Sequence, residues 1–278
     1  IRPRDWSSDV CSSDLPRLSG DGRRLSVEIM GNKTEIWIYD FMRETLARLT
    51  FEGDKVRPAW SPDGQRIAYA ATRKDGKNIY WKLASGGGAE EKLSSTGDDQ
   101  PSDWTPDGKR LIYTLHGGDV YWLQLEGDRK GKPLLTEPYY TGGARLSPHG
   151  RWRAYGSDQS GRMEIYVQPF PDLGSRWLVS TDGGSEPVWS KNGKELFFRN
   201  GDKMMAVTVE GREDFSISKP KLLFEKQFEL GSGARAGYDV APDGRLLILK
   251  AELRESAPAQ IVVVQNWFEE LKQKVPVK

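Results

Sequence analysis

The sequence has one cysteine, Cys11, and two histidines, His116 and His149, among 278 residues. One cysteine excludes an internal disulfide framework, and two isolated histidines give no pair at metal-ligand spacing. His149 fills the turn slot held by Asp63 and Asp107 in sister segments, so it reads as a turn substitution. His116 precedes Gly117-Gly118 and reads as a solvated hairpin residue. No Gly-x-Ser-x-Gly elbow marks a nucleophile. The run Gly231-Ser232-Gly233-Ala234-Arg235-Ala236-Gly237 has the wrong spacing for a phosphate loop and opens a strand, so it reads as a connection between strands. Charge of either sign is not in excess: 41 basic residues stand against 40 acidic ones. That balance argues against nucleic-acid or membrane binding driven by charge. No apolar run approaches the ~20 residues of a membrane-spanning helix. These absences leave no catalytic residue, metal or cofactor to assign, and a non-enzymatic chain is expected.

What is present is a repeat. Trp60-Ser61-Pro62-Asp63-Gly64 followed by Ile67-Ala68-Tyr69 reads as strand, tight turn, strand. Pro62 presets φ, Asp63 tolerates the bridge region, and Gly64 supplies the positive φ. The unit recurs with turn glycines at Gly22, Gly64, Gly108, Gly150, Gly193 and Gly244, 42 to 51 residues apart. Each Asp-Gly turn offers one carboxylate, too few for a calcium loop. A period near 40–45 residues with several strands is the blade period of a β-propeller. Within a period four segments alternate with turns, as in Arg57–Ser61, Arg66–Ala71, Asn78–Leu83 and Glu91–Ser94. The 30 glycines and 16 prolines fit such turns, and ten tryptophans, several at one repeat position, fit packing between blades.

The fold expected is all-β, a propeller of six four-stranded blades with a short C-terminal helix. The helix is placed at Asn266–Lys272, where Asn266 and Glu269 form a capping-box-like start. The sixth repeat shows Ile261-Val262-Val263-Val264 and no fourth strand of its own, so closure by a strand from the N-terminus is expected. Residues 16–278 are read as the propeller. Asp5–Leu15 has no strand or helix period and resembles the translation of a sequencing adapter, so residues 1–15 are read as non-native. On that reading Cys11 is not the protein's own, the native N-terminus lies outside the chain, and Val10–Leu15 either imitates the closing strand or stays disordered.

In a propeller, loops entering the inner strands gather at one mouth of the central channel. Aligning the repeats on the tryptophan–turn unit places Arg57, Gln100, Gly143, Glu186 and Gly237 there, with Ala59, Asp103, Arg145, Val188 and Asp239 one position further in. Charges where sister blades carry Ala or Val have two readings. Asp103, Arg145 and Asp239 form ion pairs between blades or simply face channel water, or, with Arg57, Gln100 and Glu186, they form a polar ring that binds a ligand. A protein, a peptide or a small ligand is the partner expected at that mouth. Tyr139-Tyr140 supplies either an aromatic platform or core packing.

The in-phase Ser-Pro-Asp-Gly units, each followed by an apolar triplet and an Ile-Tyr-type strand, resemble the TolB-like, WD-repeat-like propellers. Ile36–Asp40, Glu186–Ser190, Arg199–Val207 and Val264–Leu271 further resemble the C-terminal propeller of bacterial receptor-type serine/threonine kinases. That resemblance implies a sensor or scaffold role and an extracytoplasmic location, with a kinase core and membrane tether upstream. Kinase motifs themselves are absent from the sequence. Two alternatives stand beside it: a TolB-like periplasmic protein-binding propeller, and the gating propeller of a prolyl-oligopeptidase-type hydrolase.

Overall fold

A computed structural model describes residues 16–115, 118–172, 174–210, 215–227, 236–250 and 260–263. Blade 1 contains β1 (Arg17–Leu18), β2 (Arg24–Met30), β3 (Thr34–Asp40) and β4 (Thr45–Arg48). Blade 2 contains β5 (Lys55–Trp60), β6 (Arg66–Arg73), β7 (Gly76–Leu83) and β8 (Glu91–Lys92). Blade 3 contains β9 (Asp99–Trp104), β10 (Arg110–Leu115), β11 (Asp119–Gln124) and β12 (Gly131–Leu135). Blade 4 contains β13 (Thr141–Leu146), β14 (Trp152–Ser157), β15 (Glu164–Pro169) and β16 (Trp177–Leu178). Blade 5 contains β17 (Ser185–Trp189), β18 (Glu195–Asn200), β19 (Lys203–Glu210), β20 (Ser216–Ile217) and β21 (Lys221–Glu225). A closing sheet follows, with β22 (Tyr238–Val240), β23 (Leu246–Lys250) and β24 (Gln260–Val263).

All pairings within these sheets are antiparallel and follow chain order, except that β20 and β21 both pair with β19. The inner strands β1, β5, β9, β13, β17 and β22 touch in sequence, and β22 returns to β1, so the sheets ring one axis. The expectation of six four-stranded blades is corrected to five. The sixth repeat forms a three-stranded sheet among the described residues, because nothing there pairs beyond β24. No helix occurs among the described residues. The helix expected at Asn266–Lys272 and the closing strand expected at Val10–Leu15 both lie outside them.

The core is divided into wedges between neighbouring sheets. Ala59, Ile79, Trp104 and Leu111 fill the gap between blades 2 and 3, and Val167, Trp189, Leu196 and Phe198 that between blades 4 and 5. Leu18, Leu25 and Val27 of blade 1 meet Leu247 of the closing sheet. Each sheet therefore buries both faces, which explains why β6 carries five consecutive buried residues from Ile67 to Ala71 instead of alternating. Among the described residues the first and last sheets meet by side-chain packing face to face, without a shared ladder.

The turns are cross-braced. Ser61 Oγ donates to Asp63 Oδ1 (2.5 Å) and accepts from Arg66 N–H (2.9 Å), while Asp63 Oδ1 accepts from Gln65 N–H (2.9 Å). The same bonds recur through Ser19 and Asp21, through Thr105 and Asp107, and through Ser190 and Asn192. Neighbouring turns also press together. A Cβ on Gly22, which has φ of 69°, would lie 2.6 Å from Pro242 Cδ, so the last turn and the first can meet only because residue 22 is glycine.

The Ser61 hydroxyl, followed by the Gln65 N–H, holds the Asp63 carboxyl below its ordinary value of 3.8. A depressed carboxylate pKa stabilises the fold above the unfolded value, and that contribution is lost as the pH falls through the folded value. Asp63→Asn keeps the acceptor, as Asn192 does naturally, and should leave the urea midpoint nearly unchanged at pH 7. Asp63→Ala removes two bonds and should cost about 1 kcal/mol. The gap between wild type and the Ala variant should narrow below about pH 4, measured as a pH series of urea unfolding curves.

Candidate functional site

Every sheet places one residue of its inner strand at the axis, immediately before the strand's last residue: Arg17, Ala59, Asp103, Arg145, Val188 and Asp239 in ring order. Where the next residue is tryptophan, its indole reaches back to the preceding blade. Trp60 Nε1 donates to Arg17 O (2.9 Å), Trp104 Nε1 to Ala59 O (3.1 Å) and Trp189 Nε1 to Arg145 O (3.0 Å). Two blades carry leucine in that slot, and there an aspartate makes the link instead. Asp103 Oδ2 accepts Leu146 N–H (2.8 Å) while its Oδ1 accepts its own neighbour, Trp104 N–H (2.8 Å). Asp239 repeats this across the ring closure, with Leu18 N–H on Oδ2 (2.8 Å) and Val240 N–H on Oδ1 (2.8 Å). The axial carboxylates therefore serve as substitutes for missing indoles.

The entrance mouth is built from bulges. Arg57, Gly143 and Glu186 have φ of 66°, 66° and 60°, each at a register shift of its inner strand. Arg57 N–H donates to Glu28 Oε1 (2.7 Å), and Gly237 N–H donates to Glu186 Oε2 (2.9 Å), so these two carboxylates also join neighbouring sheets. Tyr238 Oη adds a bond to Glu186 O (2.7 Å). Burial lowers the Arg57 pKa, opposed by Glu28, Tyr140 and Asp98, which places its guanidinium among those groups. Tyr139 and Tyr140 are exposed, not core residues. Gln100 does not take the Arg57 position. It stands four residues before Trp104, as Val56 stands four before Trp60, and pairs with Thr114. Gln100 is buried, and among the described residues its Oε1 has no partner.

Three of the six expected site residues, Asp103, Arg145 and Asp239, come together at a cavity of about 340 Å³ on the opposite side, where the Ser-Pro-Asp-Gly turns form the wall. Arg57, Gln100 and Glu186 do not line it. Two charged lining residues were not among the expected site residues: Arg17 and Lys191. Each had a signal. Arg17 precedes Leu18-Ser19 as Asp103 precedes Trp104-Thr105, and Lys191 fills the slot that sister turns give to Pro62, Pro106, Pro148 and Pro242. Arg17 is buried, and burial, then repulsion from Arg145, lowers its pKa to about 9 against the pull of Asp239, Glu28 and Glu186. Burial raises the Asp103 pKa above its ordinary value, opposed by Arg145, by the Leu146 and Trp104 N–H groups and by Lys191. Among the described residues no group of three His, Cys, Asp or Glu could hold a metal ion.

A family model, PD40, the TolB β-propeller domain, matches residues 10–221. The chain belongs to that family. No curated protein matches it. Among solved structures it is similar to a protein assigned as TolB from Agrobacterium tumefaciens, at 19% identity, 90% of each chain and TM-score 0.68. It is also similar to TolB from Acinetobacter baumannii, at 21% identity over 77% of this chain and 55% of that one, with TM-score 0.59. An oligogalacturonate lyase solved with manganese shares the fold at 13% identity, 91% of this chain, 73% of that one and TM-score 0.58. These likenesses establish the fold, and a fold that also carries a lyase does not decide chemistry.

Asp103→Asn should cost about 2 kcal/mol, because the amide turns an N–H₂ toward a backbone N–H that needs an acceptor. Trp104→Phe, which deletes the indole bond to Ala59 O, should cost at least as much, since it also leaves a void. Urea unfolding of both variants checks this, with the slope expected to stay at the wild-type value.

Proposed function

We propose that this chain is a non-enzymatic binding and scaffold propeller that receives a peptide or a protein segment at the turn-side cavity. The observation that carries the reading is the cavity itself. It is walled by braced turns and tryptophans and floored by charged axial residues, a pre-formed concave site with a few polar groups. Family membership supports it, since TolB-type propellers bind proteins. In the intact protein the propeller serves either as a TolB-like periplasmic binding module or as the sensor region of a bacterial serine/threonine kinase. The family match and the Agrobacterium structure support the first. The second rests on the four resembling segments. Both place the domain outside the cytoplasm.

Panning a displayed-peptide library on the full chain tests the reading. Lys191→Trp puts an indole over the cavity rim without touching an inner strand, and it should abolish capture of the selected peptides. Lys191→Met should retain capture within about tenfold. Peptides that bind both variants as they bind wild type would place the binding surface elsewhere.

A further inference from the structure

The charged groups at the cavity are unequally committed. Asp103 and Asp239 each hold two backbone N–H donors. Arg17 Nη1 lies against the carbonyls of Pro16 (2.8 Å), Ala236 (3.0 Å) and Tyr238 (3.4 Å). Arg145 makes one long hydrogen bond, from Nη1 to Ser102 O (3.2 Å). A guanidinium has five donors in a planar fork, so most of this fork meets no acceptor among the described residues. Arg145 also repels Arg17 electrostatically, and Lys191 acts on Asp103 from the rim. Both carboxylates are already engaged by backbone donors, so the cationic side of the cavity is the side with capacity left. Beside it lie apolar surfaces from Leu18, Val188, Pro106 and Pro148.

A single negative charge on a planar group matches this arrangement. A carboxylate can take two parallel N–H bonds from Arg145 and sit between like charges that otherwise repel. A phosphate dianion fits less well, because Asp103 and Asp239 flank the same space. We propose that the turn-side cavity selects a carboxylate carried by an extended peptide, with Arg145 as its bidentate partner and Lys191 as the cation at the rim. This rests on the binding reading above and adds the chemical class that the cavity takes. The carboxylate belongs either to a peptide's C-terminus or to an acidic side chain, and the test separates the two.

The probes are N-acetyl-Gly-Pro-Gly with a free C-terminal carboxylate, its C-terminal amide, N-acetyl-Gly-Asp-Gly amide, and inorganic phosphate. Binding to the full chain is followed by tryptophan fluorescence and by the Nε–H resonance of Arg145. At least one acidic peptide should bind about tenfold or more tightly than the neutral amide and shift that resonance. Whichever acidic peptide binds identifies the source of the carboxylate. Arg145→Lys keeps the charge but not the fork and should cost about tenfold, with unchanged near-ultraviolet dichroism as the check on folding. If that variant does not fold, the acid-to-amide ratio and the resonance shift in the wild-type protein decide. Acidic peptides that bind no better than the amide, or that phosphate displaces at equal concentration, overturn the proposal. So does wild-type affinity in folded Arg145→Lys. Library peptides that Lys191→Trp blocks but that carry no acid requirement overturn this inference and leave the binding reading standing. Library peptides insensitive to Lys191→Trp overturn the binding reading itself.

Discussion

The ring depends on one recurring hydrogen bond, in which a donor on each inner strand reaches an acceptor on the strand before it. Face-to-face packing of twisted sheets supplies most of the burial, but apolar wedges slide at little cost. A directional bond at the axis fixes how each sheet is rotated against its neighbour. Three such bonds are made by indoles, two by aspartates at leucine-bearing blades, and one by Glu186 where blade 5 meets the closing sheet. The chemistry differs, and the Glu186 bond lies at the entrance mouth and not at the turn side, but each supplies an acceptor to an N–H that would be costly to bury without one.

This rule divides what the sequence could reveal from what it could not. The turn units were legible because Ser-Pro-Asp-Gly has local chemistry: Gly64 needs a positive φ, and Asp63 caps the following N–H groups without help from distant residues. Strand positions followed, because both faces are buried and apolar runs mark them. The closing sheet was read less well. Its lack of a fourth strand was legible, but the blade count was not, because what completes the sheet depends on residues far along the chain. The β20 segment was also missed, since two residues, Ser216 and Ile217, leave no periodicity to detect.

The site was half legible. Aligning repeats identified Asp103, Arg145 and Asp239 as unusual axial charges, and both aspartates join blades through backbone N–H groups, a link other than the ion pairs expected. It missed that Asp103 and Asp239 each precede a blade whose tryptophan is leucine, although Leu146 and Leu18 stand in plain view. Choosing the entrance mouth as the binding face came from propeller topology, whereas the cavity lies among the turns. Gln100 was misplaced by one position: β5 and β9 carry the same one-residue irregularity, and Pro101 stands three residues before Trp104 as Arg57 stands three before Trp60.

The axial residues repeat the order cation, small apolar residue, aspartate twice around the ring, so Arg17 and Arg145 face each other across the axis. Arg17 also carries the closure, holding carbonyls of residues 219 and 221 positions away along the chain. Joining ends so distant is the largest loop-closure cost in the fold, and it is met at the same residue that completes the charged floor. Closing the ring therefore also completes the charged floor of the cavity. A ligand that engaged both arginines would strap the first and last sheets together, and its binding would stabilise the closed ring by mass action.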